Sequence, residues 1–118
     1  MPGATFKHGS PRMVEHETGG SAINAGDVIV TETTPRIAHL PIPANHFGSL
    51  AAAGGVYEMT GDATINSDVP VYWVADDGKI SEDDDGGNNV FLGITVTECA
   101  DNNATALVRH EPQAVPAD

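Results

Sequence analysis

Thirteen glycines and eight prolines break this chain about every six residues, and that punctuation governs what it can fold into. Such frequent breaks leave little room for long helices and suit many short strands. A recurring phrase says the same. Ile23-Asn-Ala-Gly-Asp-Val-Ile-Val30 returns, altered, as Ile65-Asn-Ser-Asp-Val-Pro-Val-Tyr-Trp-Val74. Each copy sets a small polar turn, closed by Asp, before a β-branched run. Asn, Gly, Ser and Asp favour turns through tolerated dihedrals or bonds to their own backbone. Val and Ile favour the pleated strand because branching at Cβ stiffens χ1.

The pattern predicts strands over residues 28–33, 37–40, 55–60, 69–74, 79–81, 90–97 and 104–110. Pro70 cannot donate to a ladder, so the fourth of these sits at an edge or carries a bulge near its start. Over residues 90–97, Val90, Leu92, Ile94 and Val96 are expected on one face and Phe91, Gly93, Thr95 and Thr97 on the other. Residues 45–53 are the one stretch expected as a short helix. Residues 1–20, polar and irregular, read as an extended N-terminal arm. Residues 21–110 form the β-rich domain, and 111–118 read as a flexible tail. The expected fold is mainly β: a compact single domain, barrel- or roll-like, with that arm and at most one short helix. At 118 residues the chain hides about 65% of its unfolded surface. With aromatics at only 5%, Val, Ile, Leu and Ala supply most of the core.

The formal net charge of −12 argues against nucleic acid, whose binding draws on basic side chains that displace counterions. The same field opposes an anionic membrane surface. Cys99 is alone, which excludes an intrachain disulfide and a thiolate cage, and reads as a structural thiol. The first residues carry no apolar signal core, and nothing approaches a spanning helix. The protein is expected to stay in the cytoplasm of the cell that makes it, or to enter an assembly formed there.

Chemistry-bearing patterns are sparse. The run 82–89, Glu-Asp-Asp-Asp-Gly-Gly-Asn-Asn, offers oxygens to calcium, yet counted from Asp83 it puts Asn88 where an EF-hand needs Gly and Ile94 where it needs Glu. A solvated loop is the simpler reading. His8, His16, His39, His46 and His110 show no metal-ligand spacing. Gly78-Lys79 is followed by Ile80 and so lacks the Ser or Thr of a phosphate loop. No catalytic residue, metal site or cofactor is expected.

Taken in order, several segments carry a resemblance: Phe6 and Gly9 in the arm, then Ala25-Gly-Asp-Val-Ile-Val30, Ile37-Ala38 and Ile42-Pro-Ala-Asn-His-Phe-Gly-Ser-Leu50. Gly55-Val-Tyr57, Val71-Tyr-Trp73, Gly78-Lys-Ile80, Leu92-Gly-Ile94 and Ala106-Leu-Val-Arg109 follow. Over residues 6–110 the chain resembles the phage capsid cement, or decoration, proteins of tailed-phage heads. It departs at Ser67, where members often carry Gly, and in the longer acidic run 82–89.

The resemblance implies a structural protein on the outer surface of the virion. It would bind the major capsid protein of an expanded icosahedral head at local threefold sites, as a homotrimer. There it would clamp neighbouring capsomers against DNA pressure. Capsid contact is expected in residues 4–16, at Phe6, Lys7, His8, Arg12 and Met13. Subunit contact is expected at Phe47, Leu50, Val56 and Tyr57. The alternative is a calcium- or carbohydrate-binding β-module on a virion or cell surface. An enzyme would need His39, His46 or His110 to converge with carboxylates.

Overall fold

The computed structural model describes residues 3–31 and 34–112. The sequence phrase that repeats turns out to mark a repeated piece of architecture. Among the described residues are ten strands: β1 Thr5–His8, β2 Arg12–Glu17, β3 Val28–Thr31, β4 Thr34–Ala38, β5 Phe47–Ala53, β6 Val56–Thr60, β7 Pro70–Val74, β8 Lys79–Ser81, β9 Val90–Thr95 and β10 Thr105–His110. They form two antiparallel sheets, one in the order β2-β5-β4-β3 and one in the order β1-β6-β10-β9-β7-β8. In each, a strand pairs with the last of its group, and the intervening strands return between them: β2-β5-β4-β3 matches β6-β10-β9-β7. This is a Greek-key arrangement used twice.

Local chemistry sets both copies. Gly26, Asn45, Asp68 and Asn103 have positive φ of 88°, 60°, 61° and 69°. Each stands two residues before the first residue of β3, β5, β7 or β10. Gly, Asn and Asp are the residues that tolerate this conformation. Upstream of each turn lies a residue in an isolated bridge, Ile23 with Ile42 and Ile65 with Cys99. The backbone bonds match as well. Gly26 N–H donates to Ala38 O and Ala38 N–H to Asp27 O; Asp68 N–H donates to Thr95 O and Thr95 N–H to Val69 O. The backbone therefore aligns Asp68 with Gly26, as the shared Ile-Asn openings do, and one place away from an alignment of the two Asp residues. Asp27 closes the first turn, accepting from Asn24 N–H at 2.9 Å. In the second, Thr95 Oγ1 takes that role, accepting from Val69 N–H at 3.1 Å and donating to Asn66 O at 2.7 Å.

The main core gathers Tyr57, Met59, Ile65, Val71, Trp73, Ile80, Leu92, Cys99 and Val108 from the second unit, with Ile37 and Ala51 from the first. A smaller cluster on the other face of the first sheet holds Ile23, Ala38, Ile42 and Leu50. Each such large apolar side chain contributes about 1.5–3 kcal/mol on burial.

Several sequence expectations are corrected here. Neither sheet closes into a barrel. The nearest approach is one bridge, Gly61 with Ile80, which curls the β8 end of the larger sheet back toward the end of β6. The stretch expected as a helix is strand β5, for all that Ala and Leu are good helix formers. It lies between β2 and β4 and buries Ala51 on one side and Leu50 on the other. The helical content among the described residues is a single 3₁₀ turn, Asp85–Gly87. In β9 the alternation fails because Val71 pairs with Gly93 while Tyr72 pairs with Phe91. Leu92 is the extra residue of a bulge, and the faces swap after it. Thr95 is consequently buried and Val96 exposed. Of the edge or bulge expected at Pro70, the bulge is what is found, between Val71 and Tyr72 of an interior strand. From residue 113 on, the expected tail lies outside the described residues, as do residues 1–2 and 32–33.

Candidate functional site

Residues 5–17 build one margin of the molecule. β1 pairs with β6 in the larger sheet, and β2 pairs with β5 in the smaller one. Between them the chain turns a corner at Gly9, which has a φ of 112° and lies so close that a Cβ there would stand 2.8 Å from Gly55 Cα. Only glycine satisfies both the dihedral and the approach. β5 passes into β6 beside it through Gly54 and Gly55, both at positive φ. Two strand pairs thus bend together from one sheet into the other. β1 and β2 are each the terminal strand of their sheet, so a continuous open edge runs along this side. Such an edge presents unpaired backbone donors and acceptors to any strand that can reach it.

Apolar surface lies beside that edge. Met13 is 42% exposed, Phe47 64% and Leu40 72%. Together with His39, Pro41 and Ser49 they line a groove of about 190 Å³. Small-molecule pockets usually begin near ~300 Å³ and are more enclosed. The hollow next to it, between Phe6, Ala25, Ala38, His39 and Tyr57, measures about 290 Å³ and is more open still. Neither shape suits a small substrate. An extended apolar surface beside an open edge suits a protein partner.

An aromatic cluster supports this margin from below. Phe6 packs on His39 with ring centroids 4.6 Å apart and on the edge of Tyr57 at 5.5 Å. His39 Nε2 and the Tyr57 hydroxyl share a hydrogen bond of 2.5 Å. Burial holds the His39 imidazole below its usual pKa and pushes the Tyr57 phenol above its own. His110 stands edge-on to Tyr57 at 5.8 Å. These groups fix the margin; none pairs with a nucleophile or a carboxylate.

Of the expected capsid-contact residues, Phe6, Lys7, His8, Arg12 and Met13 all lie on this margin, and all five are exposed. Lys7 Nζ approaches Glu58 at 4.0 Å with both side chains exposed, an ion pair of small worth. Within the stretch expected as an extended arm, residues 5–8 and 12–17 form strands β1 and β2. Of the expected subunit-contact residues, only Phe47 presents its side chain. Leu50 and Tyr57 are fully buried and Val56 is 8% exposed, because each packs into a core of its own chain. The structure thus joins Met13 to Phe47 on one groove and takes the other three away. Leu40 was missed; an apolar residue directly before Pro41 at a strand end was its signal.

Charge is segregated. Ten of the 17 acidic residues fall within residues 62–101, where Lys79 is the one basic residue. In the 82–89 loop the carboxylates hold their own turn: Asp83 Oδ1 accepts from Asp85 N–H at 2.9 Å and Asp84 Oδ1 from Gly86 N–H at 3.3 Å. Among the described residues no three His, Cys, Asp or Glu converge as a metal site would require.

An open strand edge beside exposed apolar side chains, on a small all-β protein, is a surface of the kind that suits a protein partner. Residues 8–110 match the phage cement protein family, and the chain belongs to that family. Membership assigns it a structural role in association with the phage capsid. No curated protein and no solved structure matched the chain.

Proposed function

We infer that this protein binds the outer surface of the expanded icosahedral head at local threefold sites, as a homotrimer, and clamps neighbouring capsomers of the major capsid protein. The observation that carries the reading is the continuous open edge of residues 5–17 flanked by exposed Met13, Leu40 and Phe47. Phe6, Lys7, His8, Arg12 and Met13 face the shell. Phe47, with Leu40, serves the subunit contact expected of the interior residues Leu50, Val56 and Tyr57. The acidic far end faces solvent, where like charge discourages head-to-head association.

The energetics need no reaction. A protein that binds the expanded shell and not the immature one shifts the equilibrium toward the expanded form by linkage. Repetition over symmetric sites adds avidity, so modest contacts suffice. Synthesis takes place in the host cytoplasm, before the head is dressed.

Sedimentation of the purified chain with expanded and with unexpanded heads that lack it tests this. Saturable binding to expanded heads, with a copy number in multiples of three per threefold site, supports the reading. Equal binding to both forms, or none to either, defeats it.

A further inference from the structure

The duplication leaves one strand position filled in the second unit and open in the first. In the second, β1 lies outside β6, antiparallel, with Thr5 opposite Glu58 and Phe6 opposite Tyr57. In the first, the counterpart of β6 is β2, which ends its sheet. The bonds that seat the two strands correspond: Thr18 N–H donates to His46 O and Gly61 N–H to Ala104 O, both at 2.9 Å. Counting back from them puts Val14 in the place of Tyr57 and Glu15 in that of Glu58. Their partners agree, since Val14 pairs with Leu50 as Tyr57 pairs with Val108.

From this we propose that the outer edge of β2 is a strand-acceptor site, filled by an extended segment of the shell protein with an apolar residue opposite Val14 and, next after it, a basic residue within reach of Glu15. The proposal rests on the capsid-binding reading above. The molecule carries its own template for the occupant. In β1, Phe6 covers Tyr57 and the next residue, Lys7, reaches Glu58. In the first unit Val14 is half-buried and Glu15 exposed, as a site awaiting the same apolar–basic pair requires. Glu17 stands where the second unit has Thr60, adding a further demand for positive charge.

Strand β1 does not fill the site. β1 is held on β6, and only residues 9–11 separate it from β2. A second copy offering its own β2 is a poor occupant too, because Glu15 and Glu17 would meet Glu15 and Glu17, and like charges across a strand pair are destabilising. Copies that each carry a net charge of −12 add to that repulsion. A basic and apolar strand of a different protein meets neither objection, and pairing of this kind draws affinity from the main chain and selectivity from alternate side chains.

The test is photo-crosslinking on expanded heads from a benzophenone carried by Glu17→Cys; Cys99 is buried, so the label goes to position 17. The expected result is one crosslinked segment of the shell protein, holding an apolar residue next to Lys or Arg, and no such product from a label at Asp76→Cys in the distant β7–β8 turn. In parallel, Glu15→Lys with Glu17→Lys is expected to weaken head binding at least tenfold at low salt without moving the melting temperature. A labelled chain that fills the heads yet crosslinks nothing from position 17, or a segment lacking basic residues, overturns the strand site and leaves the capsid role standing. Unchanged affinity of the double variant overturns the charge pairing. A wild-type chain that fails to bind heads removes the capsid role, and this proposal with it.

Discussion

His110 Nε2 donates to the carbonyl oxygen of Pro35 at 2.8 Å and so ties the last strand, β10, to β4 in the other sheet. Since that oxygen only accepts, the Nε2 atom must carry the proton. Nδ1 is buried without a hydrogen-bond partner, a tolerable state for the bare nitrogen of a neutral ring. It is a costly state for an N–H. The joint between the two units is therefore built for an uncharged histidine, packed against Tyr57 and backed by the Tyr57–His39 bond.

That joint gives the protein an acid-sensitive stability. Burial, and then the charge of nearby His39, lower the His110 pKa to about 4, against the raising effect of the Pro35 bond. The unfolded chain takes up the proton near the ordinary value of 6.5. The contribution is thus fully present above pH 6.5, declines as pH falls toward 4, and is flat below that. Its size is of the order of 3 kcal/mol. Denaturant melts of wild type and His110→Gln between pH 4 and 7.5 check this. Wild type is expected to lose stability over that window more steeply than the variant; parallel curves contradict it.

Two glycines separate a steric role from a conformational one. A Cβ on Gly93 would lie 1.8 Å from Arg109 O, across the regular pairing of β9 with β10. Gly93→Ala must push the strands apart, and a loss above about 3 kcal/mol is expected. Gly86 has a φ of 65° with nothing within 4 Å, so Gly86→Ala costs only about 1 kcal/mol. Thermal unfolding of both variants checks the order; equal losses contradict the account of β9.

Much of this fold was legible. Strands β3, β6, β7, β8 and β10 lie within a residue or so of the places where turn residues precede β-branched runs, apart from residues 32–33 outside the description. What escaped the sequence was decided by distant contacts. The faces of β9 turn on a bulge at Leu92, set by pairing with β7. β5 looked helical because its Ala and Leu are sheltered on both faces, which removes the alternation that marks a half-buried strand. Residues 5–17 looked irregular because both strands are edges with little buried surface of their own. Leu50, Val56 and Tyr57 looked available for subunits for the same reason β5 looked helical: apolar runs do not say which chain covers them. The echo of Ile23 and Ile65 was visible, while the full duplication is held in backbone bonds.

The groove margin is expected to act in binding and not in folding. Leu40→Ser and Phe47→Ser remove exposed apolar side chains, so each is expected to change stability by no more than about 0.5 kcal/mol. Occupancy on expanded heads is expected to fall at least fivefold for the pair together, measured by quantitative gel densitometry of purified particles. Wild-type occupancy contradicts the placement of the subunit contact on which binding as a trimer depends.

The most direct measurement is the temperature at which filled heads release DNA, followed by a dye excluded from intact particles, with and without added protein. Saturating protein is expected to raise that temperature by several degrees, with the rise tracking occupancy and vanishing for the Leu40→Ser, Phe47→Ser pair. Heads that rupture at the same temperature whether bare or fully decorated contradict the claim that this protein holds the shell together.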